Sequence, residues 1–329
     1  MFWMSTSVGI DLGTANSLVY VKGKGIVLRE PSVVAIDRNT DEVLAIGEDA
    51  QKMIGRTPGN IVAIRPLRDG VISNFSMTEA MVRYFLNKVA GKSFFFRPRV
   101  MVCVPTEITI VERRAIQEAT EQAGAKKVDL IEEPIAAALG AGIDISEPVG
   151  SMVVDIGGGT CDVAVISLGG IVNGQSIRVA GNKFDTDIET SIKRNHSLMI
   201  GERTAENIKM TIGAAYSGAR KLEMEIRGRD IVTGMPKNIT VETEEIVKAV
   251  TESVSKIVGC IRKVLDVTPP ELSADIFDRG IILTGGGALL YGLDELIRRE
   301  TGIPTAIADD PLSCVAIGTG KALESGQNF

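Results

Sequence analysis

Val153-Val154-Asp155-Ile156-Gly157-Gly158-Gly159-Thr160-Cys161-Asp162-Val163-Ala164-Val165 is the stretch that decides how this chain is read. It runs as an apolar strand, a tight glycine turn and a second alternating apolar strand, the pattern of a β-hairpin. Three successive glycines remove every Cβ from the turn, so backbone N–H groups can close around a phosphate. A turn that only reverses the chain needs one Gly or an Asn-Gly pair and gains nothing from three. Phosphate binding is therefore the stronger reading. Asp155 stands where the first strand ends, placed to hold a metal ion's water shell, and Thr160 and Asp162 add polar groups beyond the turn.

The same pattern occurs earlier, in Val8-Gly9-Ile10-Asp11-Leu12-Gly13-Thr14-Ala15-Asn16-Ser17-Leu18-Val19-Tyr20-Val21. Aligning Asp11 with Asp155 pairs Leu12 with Ile156, Gly13 with Gly157, Val19 with Val163 and Val21 with Val165. The pair Leu18 and Asp162 breaks the match. Two copies of one hairpin suggest a duplicated architecture. Two such turns facing each other would clamp a polyphosphate between two lobes.

A chain of 329 residues is long enough for two sizeable cores. Its composition, 44% hydrophobic and 24% charged, is that of an ordinary globular protein. A net charge of −6 and a pI of about 5.2 argue against general affinity for nucleic acid. Cys103, Cys161, Cys260 and Cys314 lack CxxC spacing and read as small core residues in a reducing compartment. His196 is the single histidine, which argues against His-based catalysis or a His metal site. No run reaches the roughly 18 apolar residues of a membrane span. With the first strand starting near Val8, there is no room for a signal peptide before it, and a cytosolic location is expected.

Between the hairpins, residues 32–36 and 43–46 read as strands and 48–54 as a short helix; 32–75 reads as a small inserted subdomain. Residues 77–90 are amphipathic at helical spacing, with Ser76 or Thr78 as cap. A buried strand at 99–104 precedes a helix capped by Thr109 and closed by Gly124. The strand at 128–131 delivers Glu132-Glu133-Pro134, and Pro134 suits a helix's first turn. Glu133 thus stands between strand end and helix start, where α/β ligand sites form; complementing the helix dipole is an equal reading. After the second hairpin a strand is expected at 176–180, then a polar, helical second insertion over about 181–240. Within it Thr204 caps a helix carrying Glu206, Lys209 and Met210. Residues 242–265 form a long amphipathic helix that Pro269-Pro270 ends. Ile281-Ile282-Leu283-Thr284-Gly285-Gly286-Gly287-Ala288 is a third glycine turn, this time leading into a helix at 289–300, where a flat ring or sugar can lie against backbone. The small residues Ala136, Ala138 and Gly140, and Ala316, Gly318 and Gly320, mark two slim helices that can cross closely, as a hinge between lobes or as ordinary tight packing.

This order of elements resembles the actin, sugar-kinase and heat-shock chaperone superfamily. Five motifs narrow it: Ile10-Asp11-Leu12-Gly13-Thr14-Ala15-Asn16, Gly55-Arg56-Thr57-Pro58-Gly59-Asn60, Leu130-Ile131-Glu132-Glu133-Pro134, Asp155-Ile156-Gly157-Gly158-Gly159-Thr160 and Leu283-Thr284-Gly285-Gly286-Gly287-Ala288-Leu289-Leu290. Together they resemble the bacterial actin MreB family over essentially the whole chain. The resemblance implies an α/β, actin-like duplicated ATPase fold: two lobes, each with a small inserted subdomain, around a nucleotide cleft. The first lobe would comprise 1–31, 76–145 and 312–329, with 32–75 inserted; the second 146–180 and 241–311, with 181–240 inserted. It implies a slow ATPase that binds ATP or ADP with Mg²⁺ and assembles into paired protofilaments on the inner face of the cell membrane. There it would meet membrane proteins of the wall-synthesis machinery and organise rod shape. Gly13, Thr14, Ala15, Asn16, Gly157, Gly158 and Gly159 would hold the phosphates, and Asp11 and Asp155 the Mg²⁺ through water. Gly285, Gly286, Gly287 and Ala288, with Glu206 and Lys209, would bound the adenosine. Glu133 and Thr160 match positions that orient the attacking water. Two departures stand out: Cys161-Asp162 replaces a more usual Thr-Glu, which bears on the hydrolysis rate, and the segment before the first strand is shorter than the amphipathic anchor of some relatives.

A small-molecule kinase of the same superfamily would need a substrate motif, and the sequence offers none. A chaperone would need a peptide-binding domain after the closing helix. A plasmid-partitioning filament shares the physics of the site and is separated by membrane binding. For that contact the candidates are Phe94 and Phe95, between Lys92 and Arg97, with Phe2 and Trp3 as a second apolar contact. Three consecutive rings at 94–96 cannot all face one side of a strand. A strand buried on both faces is the alternative; the resemblance, which places a membrane-inserting loop here, favours exposure. Two inserted phenylalanines supply roughly 3–6 kcal/mol before entropic costs, so lipid binding should depend on repetition along a filament. Phe94→Ser/Phe95→Ser is expected to lose liposome co-sedimentation while still polymerising. Undiminished lipid binding by that variant would remove this segment as the anchor.

Overall fold

The computed structural model describes residues 7–90 and 97–325; Phe2, Trp3, Phe94 and Phe95 lie outside that set. β1 (Ser7–Leu12) and β2 (Asn16–Val21) form the first hairpin, with Asp11 opposite Leu18, and β3 (Gly25–Pro31) extends it antiparallel. β4 (Val34–Asp37), β5 (Val43–Ile46), α1 (Glu48–Met53) and β6 (Ile61–Ile64) follow. The three strands form a small sheet packed around Val33, Ala35 and Ala50. A short hairpin, β7 (Leu67–Arg68) and β8 (Val71–Ile72), leads to α2 (Phe75–Ala90). β9 (Arg99–Val104), α3 (Ile110–Gln122), β10 (Lys127–Glu132) and α4 (Glu133–Gly140) complete the first half.

The second half opens with β11 (Ser151–Ile156), β12 (Cys161–Ser167) and β13 (Gly170–Ile177). α5 (Gly181–His196), β14 (Leu198–Met199), α6 (Glu202–Ile212), β15 (Glu223–Asp230) and β16 (Pro236–Glu242) come next, and β14–β16 form a sheet of their own. α7 (Thr243–Asp266), α8 (Pro270–Arg279), β17 (Ile281–Thr284), α9 (Leu293–Thr301), β18 (Thr305–Ile307) and α10 (Cys314–Ser325) close the chain.

The duplication is visible in the topology. One sheet has the order β3-β2-β1-β9-β10 and the other β13-β12-β11-β17-β18. In each, an antiparallel hairpin sits beside parallel strands returned by crossover helices. The interior strands β9 and β11 are buried almost throughout, as strands covered on both faces must be. Two large cores fill the halves. The second runs from Met152 to Ile303 and takes in Phe184, Ile188 and Ile192 of α5, so the 181–240 stretch is packed continuously with the sheet it follows.

Several local expectations shift. α2 begins at Phe75 because Asn74 Oδ1 accepts the Met77 N–H at 3.1 Å, taking the role assigned to Ser76 or Thr78. Thr204 lies inside α6, whose cap is Gly201. The strand expected at 176–180 runs instead over Gly170–Ile177. Pro269-Pro270 ends α7 but also starts α8, since a proline at the first helical position gives up only a donor that has no intrahelical partner. Thr109, by contrast, caps α3 as read, in a reciprocal box with Glu112.

A third core joins the halves: Ile135, Ala136 and Ala138 of α4 and Val315, Ala322 and Leu323 of α10 pack with Val153 and Ala164. α4 and α10 cross at backbone distance. A Cβ on Gly318 would stand 1.7 Å from the Ala136 carbonyl oxygen, and one on Gly140 1.8 Å from that of Cys314. Gly318→Ala is therefore expected to destabilise by about 1–3 kcal/mol or more, as overpacking does. Gly259→Ala, in α7 with open space at its Cβ, is expected to stabilise by about 0.5–1 kcal/mol. Urea denaturation of both variants checks the opposite signs.

Candidate functional site

β1 and β11 end side by side at a crevice, the position where parallel α/β sheets hold ligands. The turns that follow them touch. A Cβ on Gly158 would lie 2.6 Å from that of Ala15, and one on Gly159 2.6 Å from Thr14 Oγ1 and 2.9 Å from Asp69 Cα. Only glycine lets the two turns approach this closely. Within the second turn Gly157 N–H donates to the Thr160 carbonyl at 2.9 Å. A cleft of about 490 Å³ opens here, lined by Asp11, Gly13, Thr14, Ala15 and Asn16 from one hairpin and Asp155, Gly157, Gly158, Gly159 and Thr160 from the other. Glu133 lines it from the start of α4.

Four carboxylates gather beneath the turns. Asp155 and Asp162 are directly opposed on β11 and β12, so their side chains share a face. Thr284 Oγ1–H donates to Asp155 Oδ1 at 2.6 Å, and the Thr106 N–H to Asp162 Oδ1 at 3.1 Å. The Cys103 thiol contacts Asp11 Oδ1 at 3.4 Å. Burial pushes Asp11 up to about 6, against the smaller opposing effect of the Cys103 contact. Asp155 rises to about 7, through burial first and then the charges of Asp162 and Asp11, despite the Thr284 hydrogen bond. Burial, followed by the neighbouring Asp162, Asp155 and Asp11, raises Glu133 well above the usual range. Asp162 is raised by burial, and its Oδ2 is buried without a partner. Such a cluster favours either protons or a cation. Among the described residues no three His, Cys, Asp or Glu side chains are placed to ligate a metal directly. Asp11 and Asp155 line the cavity, where they could hold a hard cation through its water.

The far end of the cleft is built from α6 and the third glycine turn. Glu206, Lys209 and Met210 line one wall, and Gly285, Gly286, Gly287, Leu289 and Leu290 another. Lys209 is already engaged there: its ammonium lies 2.8 Å from Asp185 and donates to the Gly181 carbonyl at 3.1 Å. Ala288 departs from expectation. Residues Gly286–Leu289 form a 3₁₀ turn rather than opening the helix, which starts only at Leu293. That tighter winding turns Ala288 fully into the core and leaves Leu289 on the wall.

Sequence reasoning missed three contributors. The turn joining β7 to β8 is Asp69-Gly70, both at positive φ (51° and 76°), and its Gly70 N–H donates to Thr14 Oγ1 at 3.0 Å. An Asp-Gly pair between short apolar runs is a hairpin signal that could have revealed it. The first two N–H groups of α5 donate to the carbonyls of Gly157 (3.1 Å) and Gly158 (2.8 Å), aiming that helix start at the turns. Arg29 on β3 donates to Ser313 Oγ at 2.5 Å and closes the cleft's edge. Neither of these two carries a sequence signal, since each arises from long-range docking.

The model of the family described as MreB/Mbl protein matches residues 5–329. The chain is 61% identical over 318 residues to the cell shape-determining protein Mbl of Bacillus cereus, covering 97% of this chain and 96% of that one. It is 55% identical over 325 residues to the cell shape-determining protein MreB of Escherichia coli K12, with 97% and 94% covered. Crystal structures of MreB5 of Spiroplasma citri, one bound to ADP and one to AMPPNP, share 39% identity and superpose with TM-scores of 0.93 and 0.90. They cover 98% of this chain and 97% and 99% of their own.

The raised carboxylates set a pH dependence of stability. A group that is ionised in the unfolded chain from about pH 4, yet still protonated when folded, opposes folding as pH rises. The contributions of Asp11 and Asp155 are harmless below pH 3.8 and turn unfavourable as pH climbs to about 6 and about 7. Asp155→Asn keeps an acceptor for Thr284 and removes the larger of the two effects. Without nucleotide or divalent cation it is expected to be about 2–4 kcal/mol more stable than wild type at pH 8. The gain should vanish near pH 4. Urea denaturation at pH 4, 6 and 8 checks this, and parallel pH profiles would clear Asp155 of the effect.

Proposed function

The chain belongs to the MreB/Mbl protein family, and on that premise we propose that it is an ATP-dependent, actin-like cytoskeletal protein that polymerises and takes part in determining cell shape. The observation that supports this most is the pair of glycine turns meeting over a pit of carboxylates. Apart from Gly157, whose N–H donates to the Thr160 carbonyl, backbone N–H groups of the two turns could face a polyphosphate held between them. The other end of the cleft, with Met210, Leu289 and the glycines 285–287, offers flat apolar and backbone surface for an adenosine. Nucleotide is bound between the halves, so its phosphates report on both.

Asp11 and Asp155 would hold Mg²⁺ through its water, and Mg²⁺ when bound would offset charge on the phosphates. The chain's own part in hydrolysis is positioning. Glu133 and Thr160 line the cavity beside the turns, from the start of α4 and from the second hairpin. Their carboxyl and hydroxyl can orient a water toward a terminal phosphate. Burial first, and then the charge of Asp162, keeps the proton affinity of Glu133 high. Filaments would be paired protofilaments of this chain on the inner face of the membrane, in contact with membrane proteins of wall synthesis. The proposed attachment is peripheral; among the described residues no helix is long and apolar enough to cross a membrane.

Glu133→Ala is expected to slow phosphate release by about 10²–10⁴-fold with ATP binding intact, and its filaments should form and persist in a pelleting assay. Wild-type phosphate release from this variant would return Glu133 to a helix-dipole role. ATP-dependent pelleting without any phosphorylated small-molecule product separates the filament from a kinase.

A further inference from the structure

Arg65 follows β6 in the first half, and Glu202 opens α6 in the second; their side chains form an ion pair across the rim of the cleft. Among the described residues this is the one ion pair or side-chain hydrogen bond between residues 32–75 and residues 181–240. The same guanidinium reaches back with its other nitrogen, Nη1, to the Ala15 carbonyl at 3.5 Å. Ala15 belongs to the first glycine turn, and its carbonyl also accepts the Ser32 N–H at 3.0 Å. One side chain therefore touches the turn that faces Gly158 and the helix that carries Glu206 and Lys209.

The charges around Glu202 explain why the pair forms. Glu202, Glu206, Asp185 and Glu189 crowd one wall. Glu189 is raised by burial and then by the charges of Glu202 and Asp185. Lys209 is committed to Asp185 and the Gly181 carbonyl. The cation that Glu202 finds comes from the opposite half. Both partners are partly buried, at 24% and 41% side-chain exposure, so the pair is less screened than a free surface bridge.

We propose that Arg65 and Glu202 form a latch that retains bound nucleotide: Arg65 positions the first glycine turn while holding α6 against it, and the pair parts before nucleotide leaves. The proposal rests on the nucleotide-binding reading above and adds to it a determinant of exchange rate. Neither residue lines the cavity, so both are positioning residues rather than ligands.

The test is release of a fluorescent ADP analogue, chased with excess ADP, from full-length protein held below its polymerising concentration. Arg65→Glu and Glu202→Arg are each expected to release it about 5-fold faster than wild type. The double reversal restores the ion pair but leaves the Ala15 carbonyl without its guanidinium donor, so it is expected to release more slowly than either single reversal yet faster than wild type, a partial rescue that loss of fold cannot produce. Wild-type release should quicken with added salt, and the Arg65→Gln/Glu202→Gln pair should be both fast and salt-insensitive. Thermal unfolding checks that each variant is folded, and if the reversals are not, the glutamine variants carry the comparison. Folded single variants with wild-type release rates, or a double reversal as fast as the singles, would overturn the latch. Wild type that binds no fluorescent ADP would overturn the nucleotide reading and the latch with it.

Discussion

Two peptide carbonyls set how the halves of this molecule meet. The oxygens of Ala136 and Cys314 occupy the space that side chains at Gly318 and Gly140 would need, so α4 and α10 touch through backbone. Everything above that crossing follows from it. The third core closes around the two helices with Val153 and Ala164 from the second sheet and Met101 and Cys103 from the first. β1 and β11 are thereby delivered to one crevice, and their glycine turns can abut. A larger residue at either crossing point would separate turns many residues away.

The cleft is in electrostatic tension. Asp11, Glu133, Asp155 and Asp162 are each driven toward the neutral form by burial and by one another. A core optimised for stability would carry none of them, since buried charge without a partner opposes folding. Their presence at the ends of β1, β10 and β11, and on β12 opposite Asp155, is what the proposed role of a cation at the phosphates rests on. Only the second hairpin has two acids: Leu18 stands opposite Asp11 where Asp162 stands opposite Asp155. The two turns are otherwise alike, and Asp162 in the place of Leu18 makes the second the more acidic.

How much of this could be read from residues alone depends on how local the cause was. The two hairpins were legible because strand alternation and consecutive glycines are written in contiguous sequence. The register even confirms the alignment of Leu18 with Asp162. The slim helices were legible as small-residue spacing. The helix starts at Asn74 and Gly201 were placed a few residues late, because other capping residues stood nearby and tertiary packing chose among them, and the helix that Pro269-Pro270 opens was read only as the end of the one before it. Ala288 was placed at the cleft by the family resemblance, and the glycine turn was read as opening into an α-helix; a 3₁₀ turn stands there instead, with the Ala288 side chain buried. Asp69-Gly70, Arg65 and the start of α5 reach the site only through contacts spanning tens of residues. The Asp-Gly pair marks its own hairpin locally, but no local pattern encodes these long-range contacts.

Crossing and rim also stand in a mechanical relation. Any rotation of one half against the other about the α4–α10 crossing displaces each atom in proportion to its distance from that axis. Atoms in the third core, close to the crossing, move least. Groups outside that core, the Arg65–Glu202 pair among them, travel further. The molecule is in this sense a pair of pliers with its joint in backbone and its jaws in side chains: an angle too small to disturb the core is enough to change what meets at the tips.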